Sequence, residues 1–344
     1  MKLLRKLFPP SYPELDWIQI GVTTRCNAAC VYCPHAAFKD SSRGCDLSME
    51  TFNRLVPAFS RAQLIYLQGW GEPLLHPHIG EMLQIVKNKG CLAGLTSNAT
   101  LLTPDKIREL VDAGLDYLSL SLAGIDSGND AIRKGTSLKK VLGVIDEVNR
   151  IKAARKTSFP QVHLAFMLLQ SSLDDLERMP AFFNSLEIDQ VVISSLTMAF
   201  TPEMKREMDL AQSPEQFQDL RKRLVQMKNA VDDPEKIHFH IYNPFLSAGK
   251  CSENIHRATY MSVDGNIRPC VCTDTSDLFP ENSGDIIDHS SNRLQNLSFG
   301  NIQSESLNII WNSPEYTTFR KRFKASEPIR ICTSCTKRCI DDLR

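Results

Sequence analysis

From about residue 15 to residue 195 the chain alternates six short apolar, β-branched runs with longer amphipathic stretches, and this rhythm sharply limits the folds open to it. The runs are WIQIGVT (17–23), LIYLQ (64–68), CLAGLTS (91–97), DYLSLSL (116–122), VHLAFML (162–168) and QVVISSL (190–196). Each is too short for a typical helix and reads as a strand. Between them, SMETFNRLVPAF (48–59) begins at Ser48, a good N-cap residue, and TPDKIRELVDAG (103–114) opens on Thr-Pro and closes on Gly. With SLKKVLGVIDEVNRIKAA (137–154) these read as helices. Strand–helix alternation implies a parallel sheet with right-handed crossovers and helices outside. Six units make an α/β partial (β/α)6 barrel, and barrels of this kind place their chemistry at the C-terminal ends of the strands. Beyond the sixth run, residues 201–235 read as charged helix, with QFQDLRKRLVQMKNAV (216–231) amphipathic, and IHFHIYN (237–243) as a further strand. We divide the chain into a lead-in (1–14), a barrel (15–243) and a smaller C-terminal region (244–344), with the second boundary near Asn243-Pro244.

A chain of 344 residues can bury a full core. Forty basic residues balance forty acidic ones, which gives no reason to expect a nucleic acid partner. No apolar run reaches membrane-spanning length, so no membrane span is expected. The opening MKLLRKLFPP lacks the apolar core and cleavage site of a secretory signal, and the expected location is the cytoplasm. Eleven cysteines then need an explanation other than disulfides, because a reducing compartment favours metal ligation. Three lie at 26–33 and six at 251–339. Cys45 and Cys91 stand alone and are read as structural. His35, His76 and His78 are read as core or surface histidines, not ligands.

In TTRCNAACVYCPH, Cys26, Cys30 and Cys33 form a C-x3-C-x2-C arrangement directly after the first strand. Three thiolates can hold three irons of a 4Fe–4S cluster and leave the fourth open, as catalytic metal sites do. A zinc site or three incidental cysteines are the alternatives. With Tyr32 before the last cysteine, the segment resembles the cluster motif of the radical S-adenosylmethionine (SAM) superfamily.

The resemblance continues along the barrel. LQGWGEPLLHP (67–77) is similar to the family's glycine-glycine-glutamate element, with Trp70 in place of one glycine. It implies that Gly69, Trp70, Gly71 and Glu72 receive the methionyl ammonium of SAM. TSNATLLT (96–103) resembles the third-strand Thr-Asn-Gly-Thr element, with Ala99 replacing glycine; Thr96, Ser97 and Asn98 then face the cofactor or merely cap the strand. Ser119 and Ser121 share a face of the fourth strand. Ser121 is the resemblance's candidate for a ribose or carboxylate contact, and Arg133, in AIRKGTSLKKVL, its candidate for pairing the methionyl carboxylate.

The C-terminal region reads CSENIHRATYMSVDGNIRPCVC (251–272), FGNIQSESLNIIWNSPEYTTFRKRF (299–323) and CTSCTKRC (332–339). Asp264-Gly265 supplies a hairpin turn. Gly-Asn-Ile, Trp311 and C-x2-C follow in the order of the SPASM or "twitch" extension of radical SAM enzymes, a small cysteine-rich α+β domain that holds auxiliary iron–sulfur clusters. Six cysteines are present: Cys251, Cys270, Cys272, Cys332, Cys335 and Cys339. One four-cysteine cluster would use Cys251, Cys270, Cys332 and Cys335, leaving two spare. Two clusters would need open or non-cysteine ligation, and zinc at the C-x2-C is the alternative. One auxiliary cluster is favoured.

The resemblance implies one catalytic 4Fe–4S cluster, S-adenosyl-L-methionine as cofactor, and an electron donor such as flavodoxin or ferredoxin. The substrate is expected to be a precursor peptide or a protein side chain. A small-molecule dehydrogenase or epimerase is the enzymatic alternative, and a non-catalytic iron–sulfur electron carrier the non-enzymatic one. No catalytic acid or base is legible; nothing singles out Asp126 or Asp264.

Overall fold

The computed structural model describes residues 14–38, 44–247, 249, 251–274, 296–333 and 335–343. The expected lead-in lies outside the described residues except for Glu14.

Strict alternation of large apolar and smaller or polar residues gives each strand one face to bury. The strands, in chain order, are β1 (Leu15–Ile20), β2 (Ala29–Cys30), β3 (Ala62–Leu67), β4 (Leu92–Ser97), β5 (Tyr117–Leu122), β6 (Arg133–Lys134), β7 (Gln161–Leu168) and β8 (Gln190–Ser195). In β7, Val162, Leu164, Phe166 and Leu168 are buried, while His163, Ala165 and Met167 on the opposite face stay partly accessible. The buried set joins the core under the helices; the other face lines the barrel lumen. β1, β3, β4, β5, β7 and β8 neighbour one another in that order, all parallel. The six expected units are all present.

The helices are α1 (Pro34–Ala37), α2 (Met49–Leu55), α3 (Ile79–Asn88), α4 (Pro104–Asp112), α5 (Ser127–Ile132), α6 (Leu138–Arg155), α7 (Met179–Asn184), α8 (Pro202–Met208) and α9 (Pro214–Asn229). Two begin as the sequence implies, and a third start was not foreseen. Ser48 accepts from the Thr51 amide at 3.1 Å, and Thr103 from that of Lys106 at 3.2 Å, satisfying N–H groups the helix leaves open. Ser213 does the same for α9 from Gln216, at 3.2 Å, so the charged stretch 201–235 divides into two helices there.

The sheet is longer than six strands. β9 (Ile237–Tyr242) adds in parallel beside β8, and β10 (Ala258–Met261) adds in parallel beside β1. β11 (Ile267–Arg268) returns antiparallel on β10 around Gly265, whose φ of +84° glycine adopts at no steric cost. Downstream lie α10 (Leu307–Trp311), α11 (Pro314–Lys324) and α12 (Arg330–Thr333), and β12 (Ile340–Asp341) closes antiparallel on β9. The cysteine-rich region therefore covers both open edges of the barrel sheet, which would otherwise present unpaired backbone. Its helices are anchored at the barrel's lower rim. Trp311 Nε1 donates to Glu14 Oε1 at 2.6 Å, and the Arg320 guanidinium lies 3.8 Å from the Trp311 ring centre.

Candidate cluster and cofactor site

The loop leaving β1 carries the three cysteines and is tied down before it reaches them. Thr23 Oγ1 donates to Asp46 Oδ1 at 2.6 Å, the Cys45 amide donates to Thr24 Oγ1 at 2.8 Å, and Arg25 forks onto Asp46. Cys45, alone in the sequence, thus serves the loop through its backbone. Cys91 is buried with its thiol 3.1 Å from the Phe59 carbonyl, a structural residue as expected.

Cys30 sits in β2, and the short ladder to β6 places it opposite Arg133. The Arg133 side chain is 4 % exposed; its Nη1 donates to the Tyr32 hydroxyl, and its buried Nε has no partner among the described residues. Burial works against the Arg133 charge, but Tyr32, Cys30 and Cys33 hold it on. Burial pushes the Cys33 thiol up to about 12, with Cys30 adding to it, and raises Cys26 as well, where Glu72 and Cys30 contribute. Three thiols, one carboxylate and one guanidinium therefore share a single desolvated neighbourhood, with more potential negative charge than the lone arginine offsets. A cationic iron group suits that donor set.

Glu72 follows β3 through a loop that leaves no space for side chains at its glycines. A Cβ on Gly71 would lie 2.4 Å from the Thr23 carbonyl oxygen and 2.5 Å from that of Arg25; one on Gly69 would lie 2.8 Å from Gly21 Cα. The Glu72 amide donates to the Arg25 carbonyl at 2.8 Å, locking this loop to the cysteine loop. The carboxylate accepts from Asn98 N (2.7 Å), Ser97 Oγ (2.9 Å) and Leu74 N (3.2 Å), yet burial still raises its proton affinity. With these three donors around it, the carboxyl group is placed to accept from a cation such as an ammonium. Trp70 is not a loose replacement for glycine: its Nε1 donates to the Asp274 carbonyl at 3.0 Å.

At the end of β4, Ser97 and Asn98 are already bonded within the protein. Asn98 Nδ2 donates to Asn27 Oδ1 at 2.9 Å, beside Cys26, and Ser97 Oγ accepts from the Ala99 amide at 3.0 Å. Ala99 has φ +68°, which accounts for the glycine of the related motif. Ser121 is half-buried on the lumen face, and its hydroxyl has no hydrogen bond among the described residues. His76 is buried, bonded to the Leu47 carbonyl, and His35 is buried, while His78 is exposed on its salt bridge to Glu81.

Sequence reasoning missed two polar groups. Tyr66 OH bonds Thr96 Oγ1 (2.9 Å) and Ser119 Oγ (3.0 Å), and Thr96 in turn donates to Gln68 Oε1 at 3.1 Å, forming a neutral polar wall across β3, β4 and β5. The shared parity of Tyr66 and Gln68 was the available signal. Near Trp70, Tyr260 OH donates to Asp274 Oδ2 at 2.8 Å, and Asp274 faces Arg268, a fully buried guanidinium 3.5 Å away. Nothing local in the sequence marks that trio.

In the C-terminal region, Cys251, Cys270, Cys272, Cys332 and Cys335 influence one another, and Cys272 acts on each of the other four. Burial pushes Cys251 up to about 11 and Cys332 up to about 12. Cys339 stands apart: besides burial, only Arg338 affects it. Lys337 Nζ meets Glu253 Oε1 at 2.9 Å beside this group. Among the described residues no three cysteine, histidine or acidic side chains converge closely enough for a single ion. Cys251, Cys270, Cys332 and Cys335, with Cys272, are near enough to act on one another electrostatically.

A partial barrel with three thiols on its first loop, joined to a cysteine-rich region that completes its edges, defines an iron–sulfur protein built for radical chemistry. Two family models match: the radical SAM superfamily over residues 20–179, and an iron–sulfur cluster-binding SPASM domain over residues 251–336. The chain belongs to the radical SAM superfamily and carries a SPASM domain; its cofactors are SAM and 4Fe–4S clusters. It is 24% identical to the tungsten-containing aldehyde ferredoxin oxidoreductase cofactor-modifying protein of Pyrococcus furiosus, over 94% of this chain and 88% of that protein. It is 22% identical to the PqqA peptide cyclase of Gluconobacter oxydans, over 90% and 80%. Among solved structures it resembles Streptococcus suis SuiB bound to its precursor peptide SuiA, with a TM-score of 0.62, 14% identity, and coverage of 93% of this chain and 69% of that one.

Proposed function

We propose that the chain is a peptide- or protein-modifying radical SAM enzyme. Bound together, the cluster and SAM supply a 5′-deoxyadenosyl radical that abstracts hydrogen from a substrate carbon. Cys26, Cys30 and Cys33 would hold the catalytic cluster; Glu72 would receive the methionyl ammonium, and the buried Nε of Arg133, which has no partner among the described residues, would be available to its carboxylate. Gly69, Trp70 and Gly71 provide carbonyls, Ser97 and Asn98 fix Glu72 in place, and Ser121 offers its hydroxyl to the cofactor. One auxiliary cluster sits among Cys251, Cys270, Cys272, Cys332 and Cys335. We keep the division at 243/244, a cytoplasmic location, and flavodoxin or ferredoxin as electron donor within this reading.

The carrying observation is the pairing of one buried carboxylate and one buried, incompletely bonded guanidinium beside three thiols. A simple electron carrier has no use for two opposite charges placed to grip an amino acid. The peptide substrate class is supported by PqqA peptide cyclase and by SuiB with its precursor peptide.

The test is anaerobic. Reconstituted protein given dithionite and SAM should release 5′-deoxyadenosine; Cys30→Ala should abolish release, and Cys335→Ala should retain it at least in part. Wild type that forms none would overturn the reading.

A further inference from the structure

The chain as a whole is neutral, yet residues 320–338 carry seven basic side chains against one acidic one, Glu327. Lys321, Arg322 and Lys324 form the last turn of α11, and Arg330 opens α12; all four are exposed. None of the four makes an ion pair among the described residues. Helix C-termini attract cations, but a last turn needs only one, and here three project together.

This face adjoins the auxiliary cysteines. The Arg338 guanidinium lies 5.9 Å from the ring centre of Phe323, within that last turn, and its Nη1 donates to the carbonyls of Thr333 (3.0 Å) and Cys332 (3.3 Å). Cys332 and Cys335 are themselves partly accessible. Alongside runs a groove of about 350 Å³ whose walls include Phe299, Phe319 and Ile329, with Arg322 on its edge. An apolar groove with Arg322 and Glu315 at its edge, beside the exposed Lys321, Lys324 and Arg330 and next to the auxiliary cysteines, fits an acidic one-electron carrier protein better than a polyanion, which needs no apolar floor.

We propose that the α11–α12 face docks an acidic carrier of the flavodoxin or ferredoxin class and places its redox group over the auxiliary cluster. A single electron would then pass from the reduced carrier to that cluster and on to the catalytic cluster; the carrier is oxidised by one electron, the catalytic cluster is reduced by one and the auxiliary cluster returns to its starting state, with no bond made or broken. The inference deepens the function proposed above and depends on its auxiliary cluster.

The test uses the full-length, iron-loaded enzyme and reduced flavodoxin as the probe. Zero-length carbodiimide crosslinking joins carboxylates of a docked partner to nearby lysines, so wild type should link to flavodoxin through Lys321 and Lys324, and high salt should suppress the links. In K321E/R322E/K324E, the flavodoxin concentration giving half-maximal 5′-deoxyadenosine release should rise roughly tenfold or more at low ionic strength. The dithionite-driven rate should stay at the wild-type level, and K89E/K139E, on other helices, should match wild type in both assays. Crosslinks mapping elsewhere, or an unchanged flavodoxin dependence, overturn the docking site. So does an RNA oligonucleotide that binds this face while flavodoxin gives no crosslink there. Should wild type fail to cleave SAM with dithionite, the function reading falls, and the crosslink map still decides the docking face.

Discussion

The indole of Trp70 donates to the carbonyl of Asp274, bridging 204 residues of sequence at 3.0 Å. Asp274 is in turn held by Tyr260, whose ring packs on Gly69 and Gly21. The loop that positions Glu72 is thus clamped from below by the cysteine loop and from above by the C-terminal region. A tryptophan where relatives of this motif carry glycine is the means by which the two parts of the chain set one another's geometry. Trp70→Phe keeps an aromatic side chain and removes the donor to the Asp274 carbonyl. It should cost about 1 kcal/mol in urea denaturation of the iron-loaded protein.

Gly71 has backbone oxygens on both sides, and these cannot swing away as a flexible side chain can. Gly71→Ala should displace the cysteine loop at a cost of roughly 1–3 kcal/mol. Iron content after reconstitution should fall by about one cluster, since only the first site borders this loop.

The five grouped cysteines and the separate Cys339 make contrasting predictions. Cys272→Ser should lose about four irons per chain and the corresponding signal in electron paramagnetic resonance, because that thiol is central to the group. Cys339→Ser should leave iron content unchanged.

His76 is fixed as the neutral imidazole: Nε2 donates to the Leu47 carbonyl at 2.8 Å, and Nδ1 accepts the His78 amide at 3.1 Å. Burial lowers its pKa, as it does that of the half-buried His163. The unfolded chain therefore takes up these protons first as pH falls. Stability is intact above about pH 6.5 and declines below it, by up to ~1.4 kcal/mol per pH unit for each group. His76→Gln, which keeps a donor for the Leu47 carbonyl and does not titrate, should make the decline shallower in urea melts of the apoprotein.

Much of the fold was legible in the residues. β4, β5, β7 and β8 formed close to their expected bounds because alternation specifies a buried face without reference to the rest of the chain. The cysteine trio was equally legible, because ligand spacing within one loop is a local property. Partners distant in sequence were not. Arg133 entered the reading only through the family resemblance; that it is buried in a two-residue strand opposite Cys30 is a matter of tertiary pairing. Ser97 and Asn98 read as facing the cofactor or capping the strand, and the side-chain partners that hold them, Glu72 and Asn27, lie far away in sequence.

The sequence by itself determined the parallel barrel, the three-thiol loop and the cysteine-rich extension, since periodicity and spacing act over a few residues. Only the tertiary structure decided that β10 and β9 extend the barrel sheet at both edges and that Trp70 reaches Asp274. Those outcomes depend on which distant backbone groups need a partner once the sheet has formed, and short-range pattern carries no record of that need.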